Sequence, residues 1–184
     1  MTSIGLDLDG VLVNWHRAVY TYCVAFRNET RTYEDFWRQY NFFPKEFWNI
    51  TELLDLYEKC IPTKDVLDTL NYLDTQGHTI YYISHRPETC RRVTEKYLNK
   101  YFPQSMNLVL TKDKDKYCRL FKIDIFIEDR VKNNAEFLKN LCFVLLMKQP
   151  WNEYERKGYT CIDRLSDIKN YLDIDKIRSQ YIWN

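Results

Sequence analysis

Two aspartates stand two residues apart near the start of the chain, in the segment DLDGV at 7–11. They follow the apolar run Ser3–Leu8, which is typical of a buried strand. In extended geometry Asp7 and Asp9 face the same side, and Gly10 then permits a tight turn away from the strand. Two carboxylates so close repel each other unless a cation lies between them, and Mg²⁺ suits oxygen ligands. The alternative is an acidic turn without a function.

Further polar side chains follow the other predicted strands, which are Thr79–Ile83, Asn107–Leu110, Ile123–Ile127 and Cys142–Leu146. Strands that alternate with helices predict an α/β fold, a Rossmann-like parallel sheet with helices on both faces. Such a sheet binds its ligand at the carboxyl ends of the strands. The side chains that would meet there are those of Asp7, Asp9, Ser84, His85, Arg86, Thr111, Lys112, Lys114, Glu128, Asp129 and Arg130. Asp129 is the natural third carboxylate for a metal ion.

The helices that connect these strands are predicted from apolar residues at helical spacing. Trp15–Phe26 follows the first strand, and Thr63–Thr75 ends before Gly77, a typical C-cap. Residues 32–60 are helical in pattern with a break at Pro44. The remaining predicted helices are Pro87–Tyr101, Asp115–Phe121, Asn133–Leu141 and Ser166–Tyr181.

Composition narrows the classes of partner. Lys and Arg total 27 against 26 Asp and Glu, a formal charge of +1, so no long nucleic acid is expected. The six cysteines are scattered without a CxxC pair, which indicates reduced thiols in an intracellular, cytoplasmic protein. No apolar run approaches a membrane span and no signal peptide is recognised, so we expect no membrane partner. The oligomeric state stays open, with a homodimer among the alternatives.

These residues resemble, in order and spacing over nearly the whole chain, the four motifs of the haloacid dehalogenase superfamily of phosphatases. The matching positions are Asp7-x-Asp9-Gly10-Val11, Ser84, a lysine before a short helix, and Ile127-Glu128-Asp129-Arg130. Within the superfamily the chain resembles the branch of 5′(3′)-deoxyribonucleotidases and their small bacterial and phage relatives. The residues that carry this second resemblance are Phe47-Trp48, Ile61-Pro62 and Gln149-Pro150-Trp151-Asn152.

The resemblance implies a reaction in two steps. Asp7 would be the nucleophile that becomes an aspartyl-phosphate, and Asp9 the general acid and base. Mg²⁺ would be held by Asp7, the main-chain carbonyl of Asp9, and Asp129. Ser84 would donate a hydrogen bond to a phosphoryl oxygen. The lysine, for which Lys114 is favoured over its neighbours at 112 and 116, would stabilise the charge on those oxygens.

Several residues keep more than one interpretation. Many relatives carry aspartate where this chain has Glu128. We take Asp129 as the direct metal ligand and Glu128 as an acid that contacts the ligands without binding the metal itself. Arg86 could pair with phosphate, with an acid at the rim, or in a salt bridge at a helix start. His85 and Arg130 are further candidates for substrate binding, and Arg130 could instead orient a carboxylate of the fourth motif.

The resemblance also implies a small helical cap inserted after the first strand. The expected division is an α/β core of residues 1–14 and 62–184 with a cap of residues 15–61. A cap excludes water and recognises the leaving group. Phe47 and Trp48 are expected to form part of a wall against which a nucleobase packs, with the interior of the cap as the alternative.

The function expected from these features is Mg²⁺-dependent hydrolysis of (deoxy)nucleoside monophosphates, which makes a small phosphate ester the partner. One alternative is a phosphatase for another small ester or for a 3′-phosphate on a nucleic-acid end. A catalytically inactive binding protein on the same fold is an alternative from another class. The complete set of motif residues argues against inactivity.

Overall fold

A parallel sheet forms the centre of the protein. The computed structural model describes residues 1–39, 56–57, 59–102 and 107–180, without the side chains of residues 133, 178 and 180. Its strands are β1 Ser3–Leu6, β2 Thr79–Ser84, β3 Leu108–Leu110, β4 Ile125–Glu128, β5 Phe143–Met147 and β6 Thr160–Ile162. They lie in the order β3-β2-β1-β4-β5-β6, and every neighbouring pair is parallel. The predicted parallel sheet is thereby confirmed.

Helices connect the strands. Within the described residues they are α1 Trp15–Phe26, α2 Tyr33–Gln39, α3 Lys64–Thr75, α4 Arg91–Tyr101, α5 Lys114–Leu120, α6 Glu136–Leu138 and α7 Ile174–Gln180. Short 3₁₀ segments occupy Glu88–Cys90, Pro150–Asn152 and Leu165–Tyr171, and a π-helical turn occupies Val131–Ala135. The bounds of α1 are those predicted from the sequence.

Both faces of the sheet are packed. On β5, Phe143, Leu145 and Met147 belong to one hydrophobic cluster, whereas Val144 and Leu146 belong to another. The first cluster also contains buried residues of α3 and α4, and the second contains those of α5 and α6. This alternation follows from the two-residue period of a strand. The expectation of helices on both faces is therefore confirmed.

One strand was not predicted, and two predicted helices differ from the structure. The sequence did not predict β6, because it has three residues and only Ile162 among them is fully buried. The predicted helix Ser166–Tyr181 is divided into a 3₁₀ segment and α7, because Asp173 caps a new helix by accepting from the N–H of Lys176 at 3.1 Å. The predicted helix Asn133–Leu141 begins instead as the π-helical turn, in which the Ala135 N–H bonds the Arg130 carbonyl at 3.1 Å.

Helices α1 and α2 lie in the insertion after the first strand, as predicted. Trp15, Trp37 and Tyr57 from this segment are buried in the same hydrophobic cluster as the first face of the sheet. The division into a core and a cap of residues 15–61 stays a prediction. Phe47 and Trp48 lie outside the described residues. In the part of the chain that the structure describes, no helix is long and apolar enough to span a membrane.

Candidate active site

Asp7 is the first residue after β1. Its N–H donates to the Ile127 carbonyl at 3.0 Å, which continues the pairing with β4 for one more residue. The chain then turns, because the Leu8 carbonyl accepts from the N–H groups of Leu12 at 2.9 Å and Val13 at 2.8 Å. Gly10 takes a φ of +84° in this turn, a conformation that side chains rarely tolerate.

Three buried acids meet beside this turn. β1 and β4 pair with Leu6 opposite Ile127, so Asp7 comes next to the acids that follow Ile127. One carboxylate oxygen from each of Asp7, Glu128 and Asp129 lies within 4.8 Å of the others. Burial raises the pKa of Asp7 and, with the added charge of Glu128, raises that of Asp129 well above its usual value. Such a cluster is unfavourable without cations.

Lys114, at the first turn of α5, supplies one positive charge to the cluster. Its Nζ lies 3.1 Å from Oδ1 of Asp7 and 2.7 Å from Oε2 of Glu128. Burial alone would lower the pKa of Lys114, but the two carboxylates outweigh this effect and raise it. The flanking lysines at 112 and 116 are exposed. The structure thus brings to the acids the lysine that the sequence favoured.

Glu128 and Asp129 differ in how their oxygens are used. Oε1 of Glu128 accepts from the N–H groups of Asp129 at 3.0 Å and Arg130 at 3.2 Å, while Oε2 accepts from Lys114. Burial would raise the pKa of Glu128, but the charge of Lys114 and the hydrogen bond from its ammonium group outweigh this effect and lower it. Oδ1 of Asp129 is buried and accepts no hydrogen bond from any described residue. Asp129 therefore has a buried oxygen that suits a divalent cation, whereas both oxygens of Glu128 are already hydrogen-bonded.

The turn Gln149–Asn152, which follows β5, donates hydrogen bonds to Gly10 and Asp129. The Gln149 side chain donates to the Gly10 carbonyl at 2.6 Å, and the indole N–H of Trp151 donates to Oδ2 of Asp129 at 3.0 Å. The Asn152 amide donates to the Asp129 carbonyl at 2.6 Å. These roles were not predicted. The signal available in the sequence was the position of the polar turn at the carboxyl end of a predicted strand.

Asp9 is not a member of this cluster of three acids. Its carboxylate accepts from Nε of Arg86 at 2.7 Å and from Nη2 of the same guanidinium at 2.5 Å. Of the alternatives open for Arg86, the structure shows the pairing with an acid at the rim. The guanidinium is fully buried in this arrangement.

The other predicted site residues surround the acids. Ser84 is buried at the end of β2, where its Oγ accepts from the Arg86 N–H at 3.4 Å. His85 is exposed as a residue, but partial loss of water around its ring and the charge of Lys114 lower its pKa to about 4. Arg130 is half-buried and close enough to Asp129 to act against the rise in its pKa.

Solved structures share this fold. A HAD phosphatase of Thermococcus onnurineus has a TM-score of 0.61 over 94% of this chain and 98% of its own, at 14% identity. D,D-heptose 1,7-bisphosphate phosphatase of Burkholderia thailandensis has a TM-score of 0.58 over 94% of this chain and 99% of its own, at 10% identity. Such low identities show the fold alone, which is that of the haloacid dehalogenase-like hydrolases.

A sequence family refines the class. Residues 1–172 match the family described as 5′ nucleotidase, deoxy (Pyrimidine), cytosolic type C protein, and the chain belongs to this family. A candidate nucleotidase of Bacillus cereus is 36% identical over 90 residues, which are 45% of this chain and 47% of that protein. The match thus spans about half the length of this curated relative.

Proposed function

We propose that this enzyme hydrolyses nucleoside monophosphates, preferring deoxyribonucleotides, through an aspartyl-phosphate on Asp7. The observation that carries the proposal is the buried group formed by Asp7, Glu128, Asp129 and Lys114. In this group Asp7 is the nucleophile and Lys114 supplies a fixed positive charge. Oδ1 of Asp129 is a carboxylate oxygen that has no hydrogen-bond partner within the described residues. The family match and the Bacillus cereus relative support a nucleotide as substrate.

Mg²⁺ is the proposed cofactor. Asp7, the main-chain carbonyl of Asp9 and Asp129 would hold it, because the oxygens of Glu128 already have partners. When bound, the ion offsets the negative charge of the substrate phosphate. The hard oxygen ligands of this set suit Mg²⁺ better than a softer transition metal.

The first step transfers the phosphoryl group to Asp7. A carboxylate oxygen of Asp7 forms a bond to phosphorus while the ester P–O bond breaks, and Asp9 gives its proton to the leaving alkoxide. Ser84 donates a hydrogen bond to a phosphoryl oxygen. Lys114, whose Nζ lies 3.1 Å from Oδ1 of Asp7, stabilises the negative charge that develops on those oxygens.

The second step releases phosphate. Asp9, now a carboxylate, takes a proton from water, and the water oxygen forms a bond to phosphorus. The P–O bond to Asp7 breaks, and the carboxylate of Asp7 is restored. Phosphate leaves as the second product.

Substrate recognition is proposed to come from the rim and from the cap of residues 15–61. His85 and Arg130 lie at the rim, where they would contact the phosphate or the sugar. The wall formed by Phe47 and Trp48 stays a prediction. We also propose a cytoplasmic location, which agrees with the description of the family. The near-neutral charge favours a small ester over a long nucleic acid.

A phosphate-release screen tests the proposal. Purified protein with Mg²⁺ is assayed on deoxyribonucleoside and ribonucleoside 5′- and 3′-monophosphates, sugar phosphates and 3′-phosphorylated oligonucleotides. We expect the highest kcat/KM on a deoxyribonucleoside monophosphate. A higher value on sugar phosphates or oligonucleotide ends would replace the nucleotide assignment. No turnover on any of them would support the inactive binding protein.

A further inference from the structure

The carboxylate of Asp9 is held from two sides. From the core side, Arg86 donates Nε to Oδ2 and Nη2 to Oδ1, a two-point pair that fixes the plane of the carboxylate. From the side of the inserted segment, the Tyr57 hydroxyl donates to Oδ2 at 3.3 Å. In the sequence, Tyr57 lies 48 residues and Arg86 lies 77 residues after Asp9.

Arg86 is itself fixed in place. Its Nη1 donates to Oγ1 of Thr94 at 2.9 Å, and that hydroxyl donates to the Cys90 carbonyl at 2.8 Å. Both partners are buried beside the start of α4. Burial would lower the pKa of Arg86, but Asp9 raises it, so the guanidinium stays charged. A planar guanidinium with bound neighbours leaves its carboxylate little rotational freedom.

Tyr57 joins this pair to the inserted segment. The Arg86 guanidinium lies over the Tyr57 ring, with Cζ 3.7 Å from the ring centroid. The same ring stacks on Trp15, the first residue of α1, with centroids 5.1 Å apart and planes 5° apart. Both rings are fully buried. A change in the packing of the inserted segment would therefore move the hydroxyl that contacts Asp9.

We propose that Arg86 and Tyr57 are positioning residues for Asp9, and that Tyr57 couples the orientation of this acid to the packing of the inserted segment. The inference rests on the proposed function, in which Asp9 transfers protons. Proton transfer requires Asp9 to point one oxygen at the reacting atom, and small errors in such geometry are costly. Both carboxylate oxygens of Asp9 accept hydrogen bonds from Arg86 in this structure. Asp9 can therefore give a proton to the leaving group only after one of these oxygens has lost its hydrogen bond to Arg86.

Leaving-group dependence distinguishes positioning from packing. A nucleoside leaves as an alkoxide and needs the proton of Asp9, whereas p-nitrophenyl phosphate loses a stable phenolate. We expect Tyr57→Phe, which keeps the stacked ring, to slow single-turnover cleavage of a deoxynucleotide by about 3- to 10-fold, the value of one hydrogen bond. Cleavage of p-nitrophenyl phosphate in the same experiment should change less than about 2-fold, and the nucleotide KM should stay constant.

Two further variants complete the kinetic test. Arg86→Lys loses the two-point pair and should slow nucleotide cleavage by about 10²-fold, the lower range for general acid catalysis. Tyr97→Phe is the control, because the Tyr97 hydroxyl is buried and has no hydrogen-bond partner among the described residues. It should leave both substrates unchanged. Equal losses on both substrates in Tyr57→Phe would overturn the proposal.

A spectroscopic readout separates this inference from the proposed function. In ¹H–¹⁵N spectra the Nε–H of Arg86 should exchange slowly with water and shift in Asp9→Asn and Tyr57→Phe, but not in Tyr97→Phe. This signature, together with an enzyme that releases no phosphate from nucleotides, would reject the function and keep the pairing. An Arg86 resonance that does not respond to Asp9→Asn would reject the pairing whatever the activity.

Discussion

The indole N–H of Trp151 donates to one carboxylate oxygen of Asp129 over 3.0 Å, while the other oxygen is buried and has no hydrogen-bond partner within the described residues. The donor thereby orients the carboxylate and leaves Oδ1 for a cation. Trp151 also stacks on His16 of α1, with centroids 4.0 Å apart. The proposed metal ligand is thus in contact, through one side chain, with the inserted segment.

Trp151→Phe tests this relationship. The variant keeps a ring against His16 but removes the donor, so we expect the affinity for Mg²⁺ to fall by about 10- to 100-fold. Calorimetric titration of the enzyme with Mg²⁺ measures this directly. Trp37→Phe, which replaces an indole whose ring centroid lies 5.8 Å from that of Trp151, should bind Mg²⁺ normally. Equal affinities in wild type and Trp151→Phe would remove Trp151 from the metal site.

Gly10 is constrained by contact as well as by backbone conformation. A Cβ at this position would overlap with Oδ2 of Asp129. Gly10→Ala should therefore displace Asp129 and abolish Mg²⁺-dependent phosphate release. Gly158 has a φ of +88°, and a Cβ added there would meet no atom of the described residues within 4 Å, which makes Gly158→Ala a matched control.

The control should lose only about 1–2 kcal/mol of unfolding free energy and keep its activity. Denaturant unfolding and phosphate release on both variants provide the comparison. Activity in Gly10→Ala that matches Gly158→Ala would show that the contact with Asp129 is unimportant.

Lys114 is the only one of the three neighbouring lysines that is buried. Lys114→Met should lower kcat by about 10²- to 10³-fold, because the charge on the phosphoryl oxygens loses a fixed cation. It should also cost about 3–5 kcal/mol of stability without metal, since two acids lose their buried partner. Lys112→Met and Lys116→Met should keep both properties. A larger loss of kcat in either of these two would reassign the catalytic lysine.

His16 makes stability depend on pH. Burial, with the charges of Arg130 and Arg86, lowers its pKa well below the usual 6.5. The unfolded chain therefore binds this proton first, and the free energy of unfolding should decrease as pH falls below about 6.5, with a slope of up to about 1.4 kcal/mol per pH unit. His16→Phe should flatten that part of the curve. Parallel stability curves for the two proteins between pH 7 and 5 would contradict the assignment.

Much of the fold could be predicted because its signals are local. The apolar spacing within Trp15–Phe26 is sufficient to predict that helix. The apolar runs before Asp7 and Glu128 likewise predict that both acids lie at strand ends. Thr160–Ile162 was missed because three residues carry too little pattern. The π-helical turn at Val131–Ala135 depends on one shifted backbone hydrogen bond, which no residue type specifies.

The site could be predicted as far as residue types at strand ends allow. Strand ends identified Asp7, Asp129 and the lysine cluster, and the resemblance favoured Lys114. The contacts of Tyr57 with Asp9 and of Trp151 with Asp129 were not predicted, because they join residues 48 and 22 positions apart in the sequence. Such contacts follow from tertiary packing, and no spacing rule contains them.

The phosphorylated residue tests the central claim most directly. Enzyme with Mg²⁺ and excess nucleotide is quenched in acid and reduced with borohydride, which converts an aspartyl-phosphate into homoserine. The protein is then digested, and mass spectrometry locates the homoserine. We predict homoserine at Asp7, and neither homoserine nor turnover in Asp7→Asn. Homoserine at another aspartate, or turnover by Asp7→Asn near the wild-type rate, would contradict Asp7 as the nucleophile.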